Sequence, residues 1–524
     1  MPSTPRAFSM LRPAALVMLL AAGWLAIGQR CLALGMDWYL AARYWFYAFP
    51  SYFSEVNYGA QPYTFFTELG KHFESGNPFV DRPRLEALLA AAQAKAVAVT
   101  STAPVYFPAD EKGTVDFVRF AFAIFGTHLP SLLYCYLGIL AVSLLLFAIR
   151  FRREPGALVT GVLALAALHV GVSAFPITRE VYSVINPRGV GSLSFIALVH
   201  LAMLALSNQP LSRRDVPGLL FQSATMMLVI AMRSAEMWQV MALCAIAGGG
   251  RLLAAVREHS PGTPGAWLAG LAPVLPVLLM LAGYQMYQGA AYPAEYLSTN
   301  VRNKIVWHNV LIGFALHPEI AQPYGLSLND ASVWAFIRYK AAAARIPDYQ
   351  EVFLDTGLVK GWRRYDELCR EAILEIAAKH PRQMVELYAW YKPRMLFRTL
   401  TYAVGRVDHD LEYYGIQDQA SSLLTPDERR AQSAYYRPFA LIPLLMVVVG
   451  SAVAGKAAVR SAFHPGALAA LATIAVLSLL PSFLTYPLVH VVVAAYLSFT
   501  LLLYAILART VVAVLDRTTR SSRP

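Results

Sequence analysis

Residues 132–149 read LLYCYLGILAVSLLLFAI, and after six residues containing Arg150, Arg152 and Arg153 the chain resumes with GALVTGVLALAALHVGVSA over 156–174. Each run carries almost no charge and is close to the ~20 apolar residues that a helix needs to cross the hydrocarbon core of a bilayer. A helix satisfies its own backbone polar groups, so such runs are stable in lipid. The pattern extends outward in both directions, through Ala14–Ile27, Leu193–Leu206, Ala266–Gly283, Phe439–Val453, Gly466–Leu480 and Val489–Ala508. The chain therefore reads as an all-α polytopic membrane protein.

Composition agrees. Of the 524 residues 57% are hydrophobic and 15% charged, with a mean hydropathy of +0.47, against ~25% charged in an ordinary soluble domain. The net charge of +12 does not point to nucleic acid, because the basic residues fall on alternate short connections: Arg6 and Arg12, Arg150–Arg153, Arg213 and Arg214, Arg251 and Arg257, Lys456 and Arg460, and Arg509 to Arg523. That alternation is the positive-inside pattern. It orients both termini to the cytoplasm, with the large loops external.

About ten spans follow, near 13–34, 129–149, 156–175, 190–207, 216–232, 237–255, 266–287, 437–454, 466–482 and 486–509. They divide the chain into an N-terminal tail with the first span (1–35), a first external loop with interfacial helices (36–127), a membrane bundle (128–287), a second external helical region (288–436), and three closing spans with a cytoplasmic tail (437–524). The first span follows Arg6 and Arg12 without a clean small-x-small cleavage site, and reads as a retained anchor. The four cysteines (Cys31, Cys135, Cys244, Cys369) have no regular spacing and suggest neither a disulfide framework nor a zinc site.

Both external regions carry helical signals. Trp38–Phe53 is dense in Trp, Tyr and Phe, residue types that favour the headgroup level. Tyr365–His380 places Leu368, Ala372, Ile373 and Ile376 on one face, and Pro381 opens a further helix at the position where proline is tolerated.

Chemistry at a membrane face needs polar groups at the bilayer boundary. Asp37 directly follows the first span, where a carboxylate can take a proton from an attacking hydroxyl; the alternative is a solvated acid at a helix end. Asp110, Glu111 and Asp116 precede the second span as a secondary acidic patch, for a metal or an acceptor, or as a helix-capping turn. Arg179, Arg188 and Arg233 lie in short external loops. A guanidinium there suits a phosphate through bidentate bonds, although Arg233 also stands three residues from Glu236 and can pair with it. His308 in the second external region can act as acid, base or phosphate partner, or simply pack or be solvated, and Arg398 can meet the same anionic ligand or mark a solvated, membrane-apposed face. No nucleotide-binding, zinc-protease or serine-hydrolase motif occurs in the right context. The spans carry few ionisable groups (His169, His200, His490), which weighs against ion-coupled transport. No cofactor is named by these residues; a divalent metal stays open.

This layout, with a short cytoplasmic N-terminus, a first span, an acid directly after it at Asp37, a large external loop and a helix–Pro–helix–Lys stretch over Glu371–Lys392 (EAILEIAAKHPRQMVELYAWYK), resembles the GT-C superfamily of integral membrane glycosyltransferases. The chain departs from the commoner pattern in having no second acid beside Asp37. The resemblance implies transfer of a sugar from a polyprenyl-phosphate donor to a lipid or glycan acceptor at the external face of a bacterial inner membrane. Asp37 would serve as base, and arginines would stabilise the departing lipid phosphate. Two other readings stay open: an O-antigen ligase or polymerase-like glycan enzyme, and a non-enzymatic transporter or flippase.

Overall fold

A computed structural model describes residues 6–33, 52, 112–128, 130–174, 190–207, 211–258, 271–292, 305–353, 361–402, 441–486 and 493–521. These residues are 88% helical, with no β-strand among them. Six helical stretches are long and apolar enough to cross a membrane: Leu11–Leu32, Pro130–Phe151, Pro155–Val172, Leu441–Ala462, Pro465–Leu484 and Ala494–Arg517. The protein is a multi-pass membrane protein.

The membrane-side helices are α1 (Arg6–Ala33), α2 (Lys112–Phe125), α3 (Pro130–Phe151), α4 (Pro155–Ala174), α5 (Ser194–Leu206), α6 (Val216–Met232), α7 (Trp238–Glu258) and α8 (Leu275–Ala291). After the intervening region come α16 (Leu441–Ala462), α17 (Pro465–Ser478), α18 (Leu480–Leu484) and α19 (Val493–Ser521). A helix stands over each of the ten expected spans, but the expected count is not reached among the described residues. α5 and α6 have 13 and 17 residues, short of the ~20 a span needs. α7 carries Arg251, Arg257 and Glu258 in its second half, and α8 begins at Leu275 rather than near 266.

α4 is the axle of the bundle, packing against α1, α3, α5, α16 and α19. Its neighbours approach closely because glycines stand at the crossings. A Cβ on Gly161 would lie 2.4 Å from the Phe147 ring, one on Gly450 of α16 3.1 Å from Val162, and one on Gly23 of α1 2.5 Å from Met446. Between apolar helices in lipid no hydrophobic force draws one to another, so such small-residue contacts carry the association. α2 falls in the segment read as the first external loop, yet Val115, Phe117, Val118, Ala121 and Phe122 are buried in the bundle core.

One end of the bundle gathers basic groups with acids. Arg150 bridges Glu154 at 3.1 Å and also pairs with Asp215, and Lys456 pairs with Asp516. There α16 breaks at Gly455, whose φ of +79° is open to glycine, and Arg12 of α1 packs against it.

A second apolar core lies in residues 305–391, built by α9 (Val306–Phe314), α10 (Pro318–Tyr324), α11 (Asp330–Ala343), α12 (Tyr349–Val352) and α13 (Trp362–Lys379), with α14 (Pro381–Glu386) packed against it and α15 (Lys392–Tyr402) following. Leu311, Phe314, Val333, Ile337, Cys369 and Ile376 meet at its centre. This outer unit touches the bundle at the end of α18: a Cβ on Gly313 would fall 1.9 Å from the Thr485 carbonyl oxygen.

Candidate functional site

The polar groups of the bundle that sequence alone could not place meet at the end opposite the basic one. α6 stops at Met232, Arg233 is extended, and a 3₁₀ turn over Ser234–Met237 brings Glu236 beside Gly191, in the turn that precedes α5. Glu236 is only 6% exposed. A buried carboxylate needs donors, and it has them: Oε2 accepts from Trp238 Nε1 at 2.8 Å and Gln239 Nε2 at 3.0 Å, while Oε1 faces Arg233 at 3.8 Å. Gln239 Nε2 also reaches Ser194 Oγ at 2.7 Å, and that hydroxyl donates to the Gly191 carbonyl at 2.9 Å. Tyr136 and Ser192 share a hydrogen bond of 2.9 Å alongside. Gly191, Ser192, Ser194, Glu236 and Gln239 form the polar side of a small pocket whose other side is apolar, with Phe195 and Leu198 of α5 and Ala494 and Leu497 of α19.

A second cluster borders this one through the backbone. Gly113 of α2 lies against Ala231 and Met232, so closely that a Cβ would meet the Ala231 carbonyl carbon at 2.3 Å. One turn on, Asp116 accepts hydrogen bonds from Lys112 Nζ and from the Tyr284 hydroxyl of α8. Lys112 lies 4.7 Å over the Tyr292 ring, and Arg119 reaches the Tyr292 hydroxyl at 3.4 Å. On the far side α1 ends with the buried Arg30, close enough to the buried His169 of α4 for the two to act on each other electrostatically. A layer of Arg, Lys, Glu, Asp and Tyr therefore lies across the helix ends from α1 to α8. Charged groups at this depth are expensive and face partners or a cavity.

The sequence candidates separate into three groups. Arg233 and Asp116 belong to this layer. Asp37, Arg179, Arg188, Asp110 and Glu111 lie outside the described residues, and Arg398 falls in α15 with its side chain outside them. His308 belongs to the outer unit. It is fully buried, with Nδ1 at 2.8 Å from the Tyr365 hydroxyl, Nε2 at 3.0 Å from Asp330, and its backbone N–H donated to Asp366 at 2.9 Å. Both ring nitrogens are thus engaged by protein, and the side chain stitches α9 to α11 and α13. Burial raises the Asp366 carboxyl above its usual range, against the donors from α9.

Sequence reasoning did not single out Glu236, Gln239, Tyr284 or Arg30 as site groups. Glu236 was legible as a partner of Arg233, but its place beside Gly191 joins segments far apart in the chain, and no local pattern encodes it. Among the described residues no cluster of three or more His, Cys, Asp or Glu forms a metal-holding group. No protein-family model matches this chain, and no curated protein or solved structure matches it.

Proposed function

We propose that this protein is a multi-pass glycosyltransferase of GT-C-like organisation, moving a sugar from a polyprenyl-phosphate donor to a lipid or glycan acceptor at the external face of a bacterial inner membrane. In this reading α5 to α8 cross the membrane as well, giving ten spans with both termini cytoplasmic. The observation that carries it is the polar layer. Arg233 stands beside Glu236, and Lys112 beside Asp116, at the bundle end to which α1 leads, and Asp37 follows four residues after the last residue of α1 (37 − 33).

The reaction is a single displacement. The acceptor hydroxyl gives its proton to Asp37 as its oxygen bonds to the anomeric carbon. The bond from that carbon to the lipid phosphate breaks, and the anomeric configuration inverts. Negative charge grows on the leaving phosphate, where guanidinium groups are best placed to stabilise it. Arg233 is the described candidate for that role, with Arg179, Arg188 and Arg398 as the others.

The test is transfer of radiolabelled sugar from a panel of polyprenyl-phosphate donors in proteoliposomes. Asp37→Asn is expected to lower transfer by roughly 100-fold or more, the range of a lost general base, and Arg233→Ala to lower it as well. Transfer that survives Asp37→Asn retires Asp37 and turns attention to Asp116. Solute flux without product from any donor overturns the transferase reading.

A further inference from the structure

The outer unit presents a second kind of surface, independent of any transferase activity and resting only on the membrane embedding. After α14 the helix widens into one π turn, Leu387–Tyr391, before α15. Such turns re-aim the side chains that follow. On one side of this segment Leu387, Lys392, Met395 and Leu396 are buried. Lys392, with no exposed surface, donates from Nζ to the Leu484 carbonyl at 2.8 Å and lies 4.1 Å over the Tyr388 ring. Tyr388 reaches the same carbonyl at 3.4 Å, and its ring meets Phe483 at 5.6 Å between centroids. Leu484 is the last residue of a membrane-spanning stretch, Pro465–Leu484. The buried side of the π turn and α15 is therefore bolted to the end of a span, which lies at headgroup level.

The opposite side is exposed and of a different character. Trp390 is 61% and Phe397 69% exposed, and Ala389, Pro393 and Arg394 share their face. Large aromatic side chains open to water, with a guanidinium between them, are a combination suited to the lipid boundary. The indole ring prefers the headgroup zone, and the arginine pairs with phosphate. We propose that the face formed by Ala389, Trp390, Pro393, Arg394 and Phe397 lies in the headgroup layer of the bilayer that holds the spans, with Lys392 fixing its rotation. The occupant follows from continuity: the same helix already grips the end of a span, and the lipid surrounding that span is its neighbour.

The experiment uses the full chain in vesicles of phosphatidylcholine and phosphatidylglycerol. The exposed Cys244 is replaced by serine; Cys31, Cys135 and Cys369 are buried. A fluorophore is attached at Ala389→Cys or, as control, at Tyr339→Cys, a 76% exposed position on α11. Nitroxide on the lipid headgroup is expected to quench the 389 label several-fold more than the 339 label, with aqueous iodide showing the reverse order. Arg394→Glu is expected to weaken the headgroup quenching at 389. Equal responses at the two positions would overturn the proposal. So would a 389 label shielded from iodide yet untouched by lipid nitroxide, which would mean that protein covers the face. Quenching indifferent to Arg394→Glu would remove the phosphate contact from it.

Discussion

α4 and α13 are similar in length, 20 and 18 residues, and each contributes to the core of its own region, yet they are buried by different physics. α4 buries Leu158, Val159, Val162, Leu163, Ala164, Leu165 and Ala166 with no polar face at all. α13 buries Tyr365, Leu368, Cys369, Ala372, Ile373 and Ile376, and turns Arg363, Arg370, Glu371 and Glu375 to solvent. A helix apolar all round belongs inside a bundle, and one with a stripe belongs at a water boundary. The outer unit is held by removal of apolar surface from water. The bundle is held by close approach at glycines, because lipid already satisfies its side chains. The first arrangement tolerates charge on its open face, and the second tolerates little added bulk at tight crossings such as Gly23, Gly161 and Gly450.

The largest effect is expected where the two regions meet. Gly313→Leu would push a side chain into the Thr485 backbone, which cannot move aside as a side chain would. A loss of about 3 kcal/mol is expected, read as a lower midpoint in detergent and faster proteolysis of the outer unit. An unchanged midpoint would show that the regions do not depend on each other.

His308→Ala sharpens the contrast inside the outer unit. It leaves the Tyr365 hydroxyl without its histidine and should cost about 2 kcal/mol in thermal unfolding. Lost transfer activity with an unchanged midpoint would restore His308 as a ligand-binding group.

In the bundle, Gly161→Ala forces the Phe147 ring to shift and should cost about 1 kcal/mol. The same substitution at exposed Gly283 of α8, where an added Cβ would meet nothing within 4 Å, should cost nothing. Equal costs at the two positions would break the argument from close crossings.

Lys392 connects the regions and makes their contact depend on pH. Burial lowers its ammonium from 10.5 to about 7. Below about pH 7 the lysine is charged both docked and released, and the contact bears the full cost of burying the charge. Between about 7 and 10.5 the released form binds more protons, so the contact strengthens as pH rises. The slope is bounded by about 1.4 kcal/mol per pH unit, and Lys392→Met should flatten it.

The smallest effect lies on the water-facing side. Lys340 and Lys379 lower the Glu375 carboxyl to about 2, so its stabilisation is present above pH 4.5 and disappears as pH falls towards 2. On so exposed a group it is worth under about 1 kcal/mol, seen as a small loss of acid stability in wild type that Glu375→Gln lacks.

Much of this architecture is written locally. Apolar runs such as 156–174 dictate helices that belong in lipid, because period, length and absence of charge are properties of a short stretch. The stripe on Tyr365–His380 and the proline at 381 were legible for the same reason, and the structure has α13 ending at Lys379 and α14 starting at Pro381. Asp116 and Arg233 could be named as polar groups near span ends, since each sits beside an apolar run.

What they would touch could not be read. Tyr284 reaches Asp116 from 168 positions away, and Leu484 receives Lys392 from 92. The sequence also gave no sign that His308 would be enclosed by Tyr365 and Asp330, or that α2 would leave the loop and join the bundle. Sequence alone determined that this chain lives in a membrane and which stretches are helical, because those choices are settled by each segment's own transfer between water and lipid. Only the tertiary structure decided which charged groups face one another and which aromatic face stays open, because a buried charge takes its partner from whatever helix the packing brings beside it.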